Sequence, residues 1–126
     1  MPQYSATLLD HFYQPRNAGA LPNAHVVGRA SLDGRAPYLD LYLRFDADVI
    51  TAASFATFGC AAAIACGSVM TELVFGRSVL ECDCIDAMAV THALDGIPPE
   101  KAFCADLAVR ALRNGLAQHT MTKATP

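Results

Sequence analysis

The stretch Tyr38-Leu39-Asp40-Leu41-Tyr42-Leu43-Arg44-Phe45 decides the fold. Leu39, Leu41, Leu43 and Phe45 alternate with Asp40, Tyr42 and Arg44. A period of two buries one face of a strand and leaves the other polar. Asp46-Ala47-Asp48 is turn chemistry, and Val49 to Phe58 is rich in β-branched and aromatic residues, so it is expected to return antiparallel. Its alternation is imperfect, which implies a bulge or burial on both faces. Upstream, His25 to Leu32 reads as a third strand ended by Asp33-Gly34.

Around these strands the spacing turns helical. Leu8, Leu9, Phe12 and Tyr13 predict a helix from Tyr4 to Tyr13, with Ser5 as N-cap and Pro15 as its stop. After Phe58, Gly59 breaks the strand and Cys60 to Phe75 reads as a helix. Its opening, Ala61 to Ala65, is apolar on every side, as in a helix buried all round. Gly76 ends it. Ser78 to Leu94 reads as one or two short helices, and Asp95-Gly96 and Pro98-Pro99 mark a break. Lys101 to Gln118 is amphipathic, and residues 120–126 are expected to fray. Strands and helices are segregated along the chain, so the expected class is α+β, with a small three-stranded antiparallel sheet and packed helices.

The 126 residues suit one domain, 1–126, without repeat or linker. A hydrophobic fraction of 53% with 17% charged residues excludes a disordered chain. A net charge of −3 gives no footprint for nucleic acid. No basic-then-apolar leader and no apolar run long enough for a bilayer is present, so a cytoplasmic location is expected. In such a reducing compartment the five cysteines are thiols or ligands rather than disulfides.

Cys60 is placed where a strand ends and a helix begins. The free N–H groups and partial positive charge there favour thiolate, the form that binds metal. The alternative is a small residue filling a tight corner. Cys104 falls in the first turn of the last helix, near Lys101, but on its apolar stripe, which favours a core role. Cys66 lies six residues after Cys60, about 600° of rotation, so a regular helix turns the two thiols apart. Cys82-Asp83-Cys84 lacks zinc-finger spacing and reads as structural or incidental. A Cys60–His92 nucleophile pair has nothing in the sequence to bring it together. No Gly-rich phosphate loop or His-Glu-x-x-His is present, so kinase, dehydrogenase and zincin readings lack support.

Several segments resemble one family. They are Tyr4-Ser5, Leu8 to Phe12, Pro15 to Gly19, Thr57-Phe-Gly-Cys60-Ala-Ala-Ala-Ile-Ala65 with Thr71-Glu72 and Gly76, and Ile97-Pro98-Pro99-Glu100-Lys101 followed by Cys104, Leu107-Ala108 and Ala111. In this order, over nearly the whole chain, they are similar to the NifU-like, or IscU-type, iron–sulfur cluster scaffolds. The resemblance implies a SufE/NifU-like architecture. It also implies a scaffold or carrier rather than an enzyme, holding iron or a [2Fe–2S] cluster, or zinc as in a related branch. The implied partners are a cysteine desulfurase and a scaffold-specific Hsp70 chaperone.

The carry-over of ligands is partial. Cys60 matches the family's middle cysteine, Cys104 its last, and Lys101 the lysine before it. Ile97, Pro98, Pro99, Glu100 and Lys101 resemble the chaperone-binding motif. The family's first Cys-Gly-Asp falls on Arg35, Ala36 and Pro37, and its histidine on Phe103. A [2Fe–2S] cluster takes four ligands and zinc three or four, so two cysteines fall short. The gap closes if Cys66 turns inward, if two chains share a cluster, or if an outside thiol joins. A metal-free interaction module and a sulfur-accepting or other thiol protein using Cys60 are the competing readings.

Overall fold

Ser5 starts the first helix as expected: its hydroxyl accepts from the Leu8 N–H, and α1 runs Ala6–Tyr13. The computed structural model describes residues 3–32 and 35–124. After α1 come β1 (Val26–Leu32), β2 (Arg35–Asp46), β3 (Val49–Phe58), α2 (Ala61–Val74), α3 (Val79–Cys82) and α4 (Ala87–Ala93). A 3-10 turn (Pro99–Lys101) leads into α5 (Phe103–Ala124). The strands form one antiparallel sheet in the order β1-β2-β3.

The period-two reading of β2 places Leu39, Leu41 and Leu43 at 0% exposure, toward the helices. α5 packs on β1 and β2, α2 packs on β3, and α1 lies against α2. The register shifts between Arg44 and Phe45, so a bulge interrupts the β2–β3 pairing, and Ala53, Ser54 and Phe55 are buried in succession. Both expected causes of the poor alternation in β3 are therefore present. Asp40, expected on a solvated face, is 4% exposed. Arg29 covers it, donating from Nε to Oδ1 at 2.5 Å and from Nη2 to Oδ2 at 2.7 Å, while its guanidinium lies 5.1 Å from the Tyr38 ring centre. A buried carboxylate needs such a partner.

Gly28 sets how closely α5 approaches the sheet. A Cβ at this position would lie 2.0 Å from the Ala111 carbonyl oxygen and 2.6 Å from the Gly115 nitrogen. Strand and helix backbones meet there with no room for a side chain. Residues 120–124, where fraying is expected, continue α5 as helix to Ala124. β2 starts at Arg35 rather than Tyr38 because Leu32 pairs with Arg35 across the hairpin. Asp33 and Gly34, where the sequence reading ends the strand, and the Arg35 and Ala36 side chains lie outside the described residues. No helix of the described residues is long and apolar enough to cross a membrane.

Candidate functional site

Gly59 lets β3 turn sharply into α2. A Cβ at this position would lie 3.0 Å from the Ala63 Cβ and 3.1 Å from the Pro37 Cβ, so the corner is tight. Cys60 follows as the N-cap of α2, extended at φ −83° and ψ 179°. No hydrogen bond from its side chain closes the cap, so the first N–H groups of α2 act on the sulfur through their field.

Cys104 arrives from the other direction. The Pro98–Lys101 turn delivers it into the first turn of α5, fully buried. The two sulfurs, 44 residues apart in sequence, meet at 3.7 Å. Burial raises the Cys60 thiol pKa, but the Ala63 N–H, the Cys104 thiol, the Ala62 N–H and the Lys101 charge together outweigh it, and the net shift is downward. Burial and the neighbouring Cys60 push Cys104 up to about 12. The two thiols are thus split in acidity, Cys60 being the more acidic and Cys104 the less.

The cleft beside Cys60 holds about 360 Å³ and is lined by Pro37, Phe58, Gly59, Cys60, Lys101 and Phe103. Its rim is apolar: Phe58 is 65% exposed and Phe103 37%. Phe58 is steadied by stacking on Tyr38, with ring centres 6.4 Å apart. Among the described residues, Lys101 supplies the one charged side chain of the lining. A larger groove of about 540 Å³ lies between α4 and α5 and includes His92, Asp95 and Asp106, but neither Cys60 nor Cys104. It lacks Cys60, so the smaller cleft, which Cys60 lines, is the better site. The same placement leaves His92 in the groove and out of the Cys60 cleft.

Cys66 is fully buried on α2, and burial pushes its thiol well up, with Cys104 and Cys60 adding in the same direction. It does not line the cleft. Among the described residues no group of three His, Cys, Asp or Glu side chains is placed to hold a metal ion. One chain's described side chains thus fit neither a complete zinc site nor a complete cluster site. Cys82 is buried and Cys84 exposed, so the Cys-x-Cys pair diverges. In the Ile97–Lys101 segment, Ile97 packs on the core and Pro98 is buried, while Pro99 and Glu100 are exposed.

Two features escape the sequence reading. One is Phe58, legible only as an outward position at the end of β3. The other is a polar knot further along α2. Ser68 Oγ accepts the Arg16 N–H at 2.8 Å and meets His11 Nδ1 at 2.7 Å. Asn17 donates to Thr71 Oγ1 at 3.0 Å, and His11 Nε2 faces Glu72 at 3.5 Å. Pro15-Arg16-Asn17 reads as loop from sequence, and its partners are more than 50 residues away.

The sequence profile of the NifU-like N-terminal domain matches residues 3–125. An Archaeoglobus fulgidus protein named iron–sulfur cluster assembly scaffold protein IscU 1 is 37% identical over 116 residues, covering 92% of this chain and 76% of that protein. The Aquifex aeolicus scaffold protein IscU is 33% identical over 121 residues, covering 94% and 77%. Among solved structures, a Fervidobacterium islandicum protein described as a cluster assembly scaffold of the SUF system superposes with a TM-score of 0.73. It is 24% identical and covers 90% of this chain and 96% of its own, a likeness of fold. The matched profile spans Cys60, Cys104 and the Pro15–Gly19 loop, and the chain belongs to the NifU-like N-terminal domain family.

Proposed function

We propose that this protein is an iron–sulfur cluster assembly scaffold or carrier whose cargo, iron or a [2Fe–2S] cluster, is held by Cys60 and Cys104. The observation that carries the reading is the meeting of two distant thiols at 3.7 Å at a helix N-terminus, with Cys60 lining a cleft open to solvent and Cys104 buried beside it. The names of its relatives, cluster assembly scaffolds at 31–37% identity, support the same cargo. The protein binds and hands on; among the described residues no His, Asp or Glu lines the Cys60 cleft, and turnover chemistry is not part of this reading. A cysteine desulfurase supplies the sulfur. The exposed Pro99 and Glu100 offer a chaperone of the Hsp70 type its contact. The cytoplasm is the expected place of work.

Reconstitution under anaerobic conditions with iron and sulfide tests this. The parent is expected to develop a visible chromophore with bound iron, and Cys60→Ser to lose nearly all of it while keeping its circular dichroism. Unchanged iron in Cys60→Ser would remove Cys60 from the ligand set. A second reading, a metal-free interaction module, is favoured by the lack of a third ligand among the described residues. It predicts no chromophore and no iron or zinc in the parent.

A further inference from the structure

The groove between α4 and α5 shares no lining residue with the Cys60 cleft, so what it binds does not depend on the cargo held there. We propose that this groove docks a basic, amphipathic helix of a partner protein, whose apolar face seats on α4 and whose lysines or arginines meet Asp95 and Asp106.

The shape suits a helix. On α4, Ala87 with Thr91 and Met88 with His92 are spaced by four residues and share one face. Ala102 and Asp106, again four apart, line the groove from the start of α5. The space between them is about 540 Å³. A second pocket of about 330 Å³ shares Asp95 and Gly96 with it and carries the depression on past Ile97 to Tyr4. A trough continued in this way suits a segment of chain better than a compact small molecule. A trough between two helices is also a surface in which an amphipathic helix lays its apolar face. Met88 supplies the contact for that face. It is 78% exposed beside Ala87, and a methionine adapts its shape to whatever covers it.

Charge decides the sign of the occupant. Asp95 and Asp106 line the groove, and among the described residues no lysine or arginine does. Asp95 is held in place: the Gly96 N–H donates to the Thr91 carbonyl at 2.9 Å, and the Thr7 hydroxyl donates to Asp95 Oδ2. Asp106 is exposed in the first turn of α5. Two carboxylates flanking an apolar floor repel an acidic partner and draw a basic one. The same sign argues against nucleic acid and against an anionic lipid surface as the occupant. A helix with apolar residues at every third or fourth position and basic residues beside them answers both parts of the groove.

The test uses the full chain and a fluorescein-labelled peptide of leucine and lysine, about 18 residues long and patterned as an amphipathic helix. A matched leucine–glutamate peptide is the control. Fluorescence anisotropy reads affinity, and backbone amide shifts read the place of binding. The lysine peptide is expected to bind, with shifts centred on Met88, Thr91 and Asp106, and the glutamate peptide is not. Asp106→Lys and Met88→Asp should each weaken binding about ten-fold. The Asp106→Lys loss should shrink when salt is raised to about 1 M. Asp46→Lys makes the same charge change on an exposed residue near the Asp48–His119 contact, toward the other end of α5, and should leave affinity unchanged. Circular dichroism shows whether each variant is folded. No binding by the parent overturns the proposal. An equal loss in Asp46→Lys reduces the attraction to net charge and overturns it too, as do shifts centred on Phe58 and Lys101. A concentration-dependent dimer that Met88→Asp dissolves makes a second copy of this chain the occupant and overturns the partner helix. None of these outcomes bears on iron at Cys60, which reconstitution reads separately.

Discussion

The two ends of helix α2 treat polar groups in opposite ways. Toward its C-terminal half, Ser68, Thr71 and Glu72 tie into His11, Arg16 and Asn17, and the donors there have acceptors. At its N-terminus, Cys60 caps the helix without a closing hydrogen bond, and its companions are a second thiol and an apolar rim. The first end is complete within one chain. The second is complete only when something else arrives. A fold of this family can thus keep its internal wiring whole while its binding cleft is stripped to two thiols. Whatever varies in the cleft acts on cargo and partners, not on the packing beneath.

The largest effect expected from this contrast comes from refilling the cleft. Pro37 and Phe103 line it beside Cys60 and stand where the resemblance puts an aspartate and a histidine. In Pro37→Asp with Phe103→His, a single chain offers two thiols, a carboxylate and an imidazole, a set that suits zinc. Outer-shell contacts alone are worth about 10–100-fold in metal affinity, so two direct ligands should raise zinc affinity about 100-fold or more. Competition titration against a chromogenic chelator measures it. A double variant that binds zinc no better than the parent would mean that these side chains do not converge on the thiols.

Much of this architecture is legible in the sequence because it rests on local periodicity. The β2 alternation, the Ser5 cap, the Gly59 break and the all-apolar start of α2 each depend on a few adjacent residues. The cleft is partly legible: the helix-terminus argument singles out Cys60, whereas for Cys104 the apolar stripe argues for core and only the family resemblance pairs the two. Its burial agrees with the stripe, and its contact with Cys60 with the resemblance. What stays hidden is long-range. The cover that Arg29 gives Asp40 depends on strand register, and the Ser68 knot depends on α1 lying against α2. No periodicity reports which loop donates to which buried hydroxyl.

The next effect breaks the other end of α2. Ser68 is fully buried, and Ser68→Ala leaves the Arg16 N–H and His11 Nδ1 without their partner. An orphaned buried polar group costs about 1–3 kcal/mol. Urea denaturation should therefore show a lower midpoint with an unchanged slope. Cluster loading per folded protein should match the parent, because the thiol cleft shares no contact with the knot. A loss of loading at full folding would join the two ends that the contrast separates.

The smallest effect is a pH dependence carried by the same knot. Burial holds the His11 imidazole below its ordinary value of 6.5, the Arg16 charge adds to this, and Glu72 and Asp10 oppose it. The folded protein thus takes up this proton later than the unfolded chain as pH falls. Its contribution is fully present above pH 6.5 and is lost progressively as pH falls through the lower, folded-state value. Stability measured by urea should decline below pH 6.5, and His11→Gln should flatten that decline while lowering stability above it. Ser68 meets Nδ1 and Glu72 faces Nε2, so the imidazole is held between them. A Glu72→Gln variant removes a carboxylate that both faces Nε2 and raises the His11 pKa, so it should deepen the acid loss. If Glu72→Gln instead flattens it, the carboxylate and not the imidazole is the group being titrated.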